Sequence, residues 1–163
     1  MIITDDHYLN IHSFATDTAL LHQERRLDNP RELDKVHFDI VTGKMAEAAF
    51  WSTYLGDSAS YWKMLDTSRG PDDGWDFEVN SIRVDVKSSA MRNPRRMYYN
   101  PSYIRADIYV FYSVSHETRS TEFGGWFFAK ELLDGNNMNR SYTELWNANT
   151  SVTSLSEYLN VSV

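Results

Sequence analysis

The stretch that decides the fold runs from Trp75 to Lys87 and reads Trp75-Asp-Phe-Glu-Val-Asn-Ser-Ile-Arg-Val-Asp-Val-Lys87. Apolar Trp75, Phe77 and Val79 alternate with Asp76, Glu78 and Asn80, and Ile82, Val84 and Val86 alternate with Arg83, Asp85 and Lys87. Period-two alternation on both sides of a short polar break predicts two half-buried strands joined in a hairpin. With Asn80 and Ser81 as the turn, Val79 pairs with Ile82, Glu78 with Arg83, Phe77 with Val84 and Asp76 with Asp85. Every apolar residue then meets an apolar one. Asn-Ser is a poorer hairpin turn than Asn-Gly, and a longer loop would separate the two aspartates.

That register sets Asp76 across from Asp85 with β-carbons about 4.5–5.5 Å apart, and Lys87 two residues further along the same face. Two opposed carboxylates repel unless they share a proton or hold a cation, and hard oxygen ligands suit Mg²⁺ or Mn²⁺. Glu78 and Arg83 read as an ordinary cross-strand ion pair. An exposed strand face with alternating polar residues accounts for the hairpin about as well as a metal site does. A third carboxylate decides between them. In GKMAEAAFWSTYL (43–55), Glu47, Phe50, Trp51 and Tyr54 fall on one helical face, so Glu47 sits on an aromatic stripe where an unpartnered charge is costly.

Outward from this region, Pro30 to Leu55 reads as helical, with Asp28 or Asn29 as cap and Gly43 as a candidate break or kink. Gly56 to Gly74 ends in a turn-rich cluster, Arg69-Gly-Pro-Asp-Asp-Gly74. Ala106–Val114 and Gly125–Ala129 read as further strands, and Lys130–Leu133 begins a helix. The segment before Pro30 yields no defined element, and the tail around Tyr142 to Tyr158 is weakly helical at best. The order helix, hairpin, strand, strand, helix predicts an α/β fold, a mixed central sheet flanked by helices, in a single domain.

Of the 163 residues 42% are hydrophobic and 24% charged, as in ordinary globular domains. No cysteine is present, which excludes disulfide scaffolds, thiol catalysis and thiolate zinc sites. The longest apolar runs, Ile108–Tyr112 and Trp126–Ala129, are far short of a membrane span, and the first residues lack the basic and apolar regions of a signal peptide; the expectation is an intracellular, cytoplasmic protein. Gly43-Lys44 lacks the glycine and Ser/Thr of a phosphate-binding loop, no Gly-x-Ser-x-Gly occurs, and His7, His12, His22, His37 and His116 show no paired zinc spacing. Most of the tyrosines and tryptophans interleave with core positions.

The net charge is −7, yet Ile82 to Arg105 carries six basic residues, Arg83, Lys87, Arg92, Arg95, Arg96 and Arg105, against the single acid Asp85. A charge run is more often a solvated face than a phosphate contact.

The ordered series Glu47 on a helix, Gly74-Trp75-Asp76-Phe77, then Asp85-Val86-Lys87 resembles the PD-(D/E)XK nuclease superfamily. TGKMAEAAF (42–50) resembles the family's glutamate helix, VDVKSS (84–89) its catalytic strand, ADIYVFYSV (106–114) the following strand and GGWFFAKELL (124–133) the late strand and helix. The resemblance covers about 30–133 and leaves 134–163 as a C-terminal extension. No proline precedes Asp76, Pro71-Asp72 is a rival match for the motif's first half, and Asp85 stands where glutamate is commoner. Asp76 is preferred because it alone lies opposite Asp85, whereas Asp72 and Asp73 fall in a turn.

The resemblance implies a restriction-endonuclease-like core and metal-dependent phosphodiester hydrolysis of DNA. Asp76, Asp85 and the Val86 carbonyl would ligate Mg²⁺, with Mn²⁺ able to substitute, and Glu47 would bind the metal or its water. Lys87 would hold the attacking water and offset phosphate charge. Lys44, one turn before Glu47, and Ser89 are candidates to touch the site or a phosphate, for which exposure or packing is the commoner explanation. In SSAMRNPRRMYYNPSY (88–103), Arg92, Arg95 and Arg96 beside Tyr98, Tyr99 and Tyr103 suit phosphate contact and base stacking, and loop tyrosines equally suit a protein interface. One site per small chain favours an endonuclease acting as a symmetric homodimer over an exonuclease. Small size and net acidity suit a phage or mobile-element accessory nuclease. The competing expectation is a nuclease-like module that docks on DNA or a protein partner without cutting.

Overall fold

The computed structural model describes residues 1–25, 33–56, 61, 74–90, 104–133 and 151–162. It has an α/β architecture built on a four-stranded mixed sheet. The strands are β1 (Phe77–Val79), β2 (Ile82–Ser89), β3 (Ile108–Ser115) and β4 (Ser120–Phe128), in spatial order β1-β2-β3-β4. β1–β2 and β3–β4 pair antiparallel, and β2–β3 run parallel.

The β1–β2 register is the one expected from the sequence: Phe77 with Val84, Glu78 with Arg83, Val79 with Ile82. Asn80 and Ser81 both take left-handed backbone, φ 49° and 67°, which a two-residue turn matched to strand twist demands and asparagine tolerates. The Asn80 side chain donates to the carbonyl of Leu159 at 2.8 Å, so the turn is also tied to the last helix.

Among the described residues four helices accompany the sheet: α1 (Asp5–Arg25), α2 (Leu33–Tyr54), the single turn α3 (Lys130–Leu133) and α4 (Val152–Leu159). α1 was not expected. Its first turn carries Asp5 and Asp6, favourable at a helix N-terminus, and it buries Ile11, Ala15 and Ala19 one turn apart. α2 spans the length of the predicted helix, although its expected cap, Asp28, Asn29 and Pro30, lies outside the described residues. Its buried Val41, Met45, Ala48, Ala49 and Phe50 pack α2 on α1 and on the sheet. Gly43 neither breaks nor kinks it. The helix continues through that position, and a β-carbon there would meet nothing within 4 Å. Gly43→Ala is therefore expected to raise stability by about 0.5–1 kcal/mol in urea unfolding, by restricting the unfolded chain; a loss would mean the site is not helical.

Over Val152–Leu159, α4 corrects the expectation of a tail weakly helical at best; residues 142–150 of that tail lie outside the described residues. Ser151 caps it by accepting from the amide of Ser154, Asn160 closes it in left-handed conformation at φ 54°, and Leu155 and Leu159 are fully buried. The core therefore draws on both ends of the chain as well as on 30–133.

The sheet has two dissimilar faces. Val84, Val86, Ile108, Val110, Tyr112, Val114 and Trp126 join the helices in the main core, while Tyr109, Phe111 and Phe127 form a second cluster with Ala106 and Ala129. Asp85 is paired with Tyr109 and Lys87 with Phe111 across β2–β3, so both charged residues share the second cluster's face. Among the described residues no helix is long and apolar enough to cross a membrane.

Candidate active site

β1 has three residues and β2 eight, so β2 outruns its antiparallel partner. Asp76 occupies the gap. The described ladder stops at Phe77–Val84, and Asp76 does not continue it to face Asp85 as the simple register required. Its amide donates to the Val84 carbonyl at 2.9 Å, and its Oδ2 accepts from the Val86 amide at 2.7 Å. The side chain thus satisfies a backbone donor of β2 beyond the end of the described β1–β2 ladder.

Around this point three carboxylates come from three directions: Glu47 from α2, Asp76 from the strand entry and Asp85 from β2. Asp76 has its carboxyl pushed well above the usual range, first by burial and then by the negative charges of Glu47 and Asp85; the Val86 amide and Lys44 pull the other way. The sequence-predicted acids are therefore electrostatically one group.

Two lysines hold the outer pair. Lys44 Nζ reaches both Glu47 oxygens at 2.7 Å, one turn back on α2, and Lys87 Nζ lies 2.6 Å from Asp85 Oδ1. The side chains of Glu47 and Asp85 are only 12% and 11% exposed, so these are sheltered ion pairs and not surface contacts. Lys87 also lies 6.0 Å from the centroid of the Tyr109 ring. Lys44, a candidate to touch the site or a phosphate, is paired with Glu47.

Tyr61 was missed altogether. Its hydroxyl donates to Glu47 Oε2 at 2.8 Å from a ring packed between Trp51 and Phe77. Burial and then the Glu47 charge raise its ionisation well above the normal phenol value, so it serves as a neutral donor. No spacing rule links it to Glu47, 14 residues earlier.

The predicted Glu78–Arg83 ion pair does not form. Arg83 turns to Asp107 with its Nε at 3.0 Å, an Nη at 2.8 Å and its backbone amide at 2.9 Å, and its guanidinium lies over Trp75. Asp107 immediately precedes β3 and is tied to β2 through its own amide on the Arg83 carbonyl. A two-pronged guanidinium contact outcompetes a single cross-strand one.

Val86 places its side chain in the main core, and Ser89 ends β2 half-buried. Arg92, Arg95, Arg96, Tyr98, Tyr99 and Tyr103 lie outside the described residues, as do Asp72 and Asp73.

No family model, curated protein or solved structure matches the chain. The chemistry must come from the geometry. Among the described residues no three His, Cys, Asp or Glu side chains stand ready-made as a metal cage. The donor set is nevertheless all carboxylate oxygen, which fits a hard divalent cation. Three acids crowded on one edge, with an elevated Asp76, are a concentration of negative charge that such a cation relieves. Ligation through Asp85 Oδ1 would require Lys87 to swing off that oxygen.

Proposed function

We propose that this chain is a metal-dependent nuclease of the PD-(D/E)XK type, with a restriction-endonuclease-like core, acting on DNA. The observation that carries the reading is the convergence of Glu47, Asp76 and Asp85 with Lys87 beside the part of β2 that extends past β1. Asp76, Asp85 and the Val86 carbonyl are assigned to a Mg²⁺ ion, with Mn²⁺ as a substitute and Glu47 as a further ligand or a water-orienting group. When bound, the metal supplies Lewis-acid polarisation of the phosphate and a water acidified enough to attack. Tyr61 and Lys44 fix the direction of the Glu47 carboxylate. Lys87, released from Asp85, holds the attacking water and balances phosphate charge.

An endonuclease working as a homodimer remains the preferred form, since one site per chain cuts two strands most simply through a two-fold pair. A second reading, a nuclease-like module that binds DNA or a protein without cutting, is favoured by the sheltered Lys44–Glu47 and Lys87–Asp85 pairs, which neutralise the outer acids without a metal.

Supercoiled plasmid, linear duplex and single-stranded DNA incubated in Mg²⁺, Mn²⁺ or EDTA separate the two. Metal-dependent cleavage supports the nuclease, and nicking against end degradation distinguishes endonuclease from exonuclease. Binding without cleavage of any substrate would transfer the chain to the second reading.

A further inference from the structure

Away from the carboxylates, three histidines meet where α1, α2 and the β3–β4 turn come together. His12 of α1 and His37 of α2 have ring centroids 5.0 Å apart, and Tyr8 closes on the other side of His12 at 4.4 Å. His116, in the turn, stacks on Phe38 of α2 at 4.2 Å, and its Nε2 lies 2.8 Å from Thr42 Oγ1. The Thr42 hydroxyl proton is committed to the Phe38 carbonyl at 2.8 Å, so His116 Nε2 must carry the hydrogen and donate. His12 Nε2 is buried and has no hydrogen-bond partner among the described residues.

This packing suits neutral rings. A protonated His12 would bury an N–H⁺ with nothing to accept it, beside a second imidazole and under the influence of the Arg119 guanidinium. Arg119 lies over the Tyr8 ring and is bound to Asp5 of α1, so its positive charge is fixed at the same junction. The groups acting on His12 are His37 and Arg119, and the one acting on His116 is His12; all are basic. The acids nearby in the chain do not reverse this, since Asp5 is engaged by Arg119 and Glu117 stands exposed in the turn.

We propose that His12 and His116, with His37 packed against His12, form a pH-sensitive joint that docks α1 on the rest of the protein when the His12 and His116 rings are neutral and loosens it when these two take up protons. The sign follows from linkage. Burial, then neighbouring positive charge, holds His12 and His116 below the ordinary imidazole value, so the unfolded or undocked chain binds more protons. Docking is complete above about pH 6.5 and weakens as the pH falls through the lower folded values. The helix it docks also reaches the candidate site, because Phe14 of α1 lies under Lys44 Nζ at 5.7 Å from the ring centroid. The joint does not depend on the nuclease reading.

Amide hydrogen exchange of the full chain, corrected for intrinsic rates, tests it. Protection in α1 is expected to fall about tenfold or more between about pH 7.5 and about pH 5.5, with β2 and β3 changing less. His12→Phe keeps a ring against Tyr8 and His37 and removes the titrating group, so the fall should shrink to within about threefold. Equal protection at both pH values, or an undiminished fall in His12→Phe, would overturn the proposal. An NMR titration of the wild-type histidine ring protons decides it independently of how the variant folds. Midpoints for His12 and His116 below the free-histidine value sustain the joint, and midpoints at or above it exclude it.

Discussion

Asp85→Ala and Lys87→Ala are each expected to lower Mg²⁺-dependent cleavage of supercoiled plasmid by at least about a hundredfold. Asp85 is the acid of the trio on β2 itself, and its removal leaves Asp76 and Glu47 without the third ligand. Lys87 is the group assigned to the water, and its ammonium already stands 2.6 Å from Asp85 in the metal-free arrangement. Because the two act on the same events, the double variant should fall little further than the worse single one. Circular dichroism and urea midpoints must accompany the rates, since Lys87→Ala strands a sheltered carboxylate. Cleavage surviving in both folded variants would sink the nuclease assignment of this edge.

Asp76→Asn is expected to do two opposite things: make the metal-free protein more stable by about 1–2 kcal/mol near neutral pH, and abolish cleavage. The amide keeps an oxygen to accept from the Val86 amide, so the edge of β2 stays satisfied. What it loses is a charge that burial and the neighbouring Glu47 and Asp85 oppose. A raised carboxyl contributes stability below its unfolded value, near pH 4, and loses it as the pH climbs through the folded value. The gain from Asp76→Asn should accordingly shrink as the pH falls toward about 4. Saturating Mg²⁺ should raise the wild-type melting temperature and leave the variant unmoved. A variant no more stable than wild type at neutral pH would show that Asp76 carries no electrostatic burden.

The hairpin was legible because each apolar residue from Phe77 to Val84 finds an apolar partner in that one register, and Asn80 is a residue that tolerates left-handed backbone. Glu47 stood out as an acid on an aromatic face. The helix α1 did not, because two of its three buried apolar residues are alanine and large apolar residues such as Leu9 and Leu20 lie on its exposed side, so no single stripe marks it. α4 offered a serine cap and two leucines four apart, but eight residues give too few turns for a periodicity to declare itself. Asp107 and Tyr61 find Arg83 and Glu47 through tertiary placement alone. Asp76 is the instructive case. Pairing arithmetic set it opposite Asp85, whereas the backbone of β2 required an acceptor and claimed its carboxylate.

The bond from Asn80 to the Leu159 carbonyl joins residues 79 positions apart, and it bears on how fast this chain reaches its final form. The β1–β2 hairpin needs only its own turn and closes on the microsecond scale. Its partner helix closes a far longer loop, and the parallel pairing of β2 with β3 needs a crossover of its own, so both carry a larger closure cost than the turn. The turn is therefore expected to form first, with the Asn80 side-chain amide bonded to water until α4 docks. Folding followed by a probe on α4 should lag behind folding followed by a probe on the hairpin only if the intervening state accumulates; coincident traces would make the long closure part of one cooperative barrier.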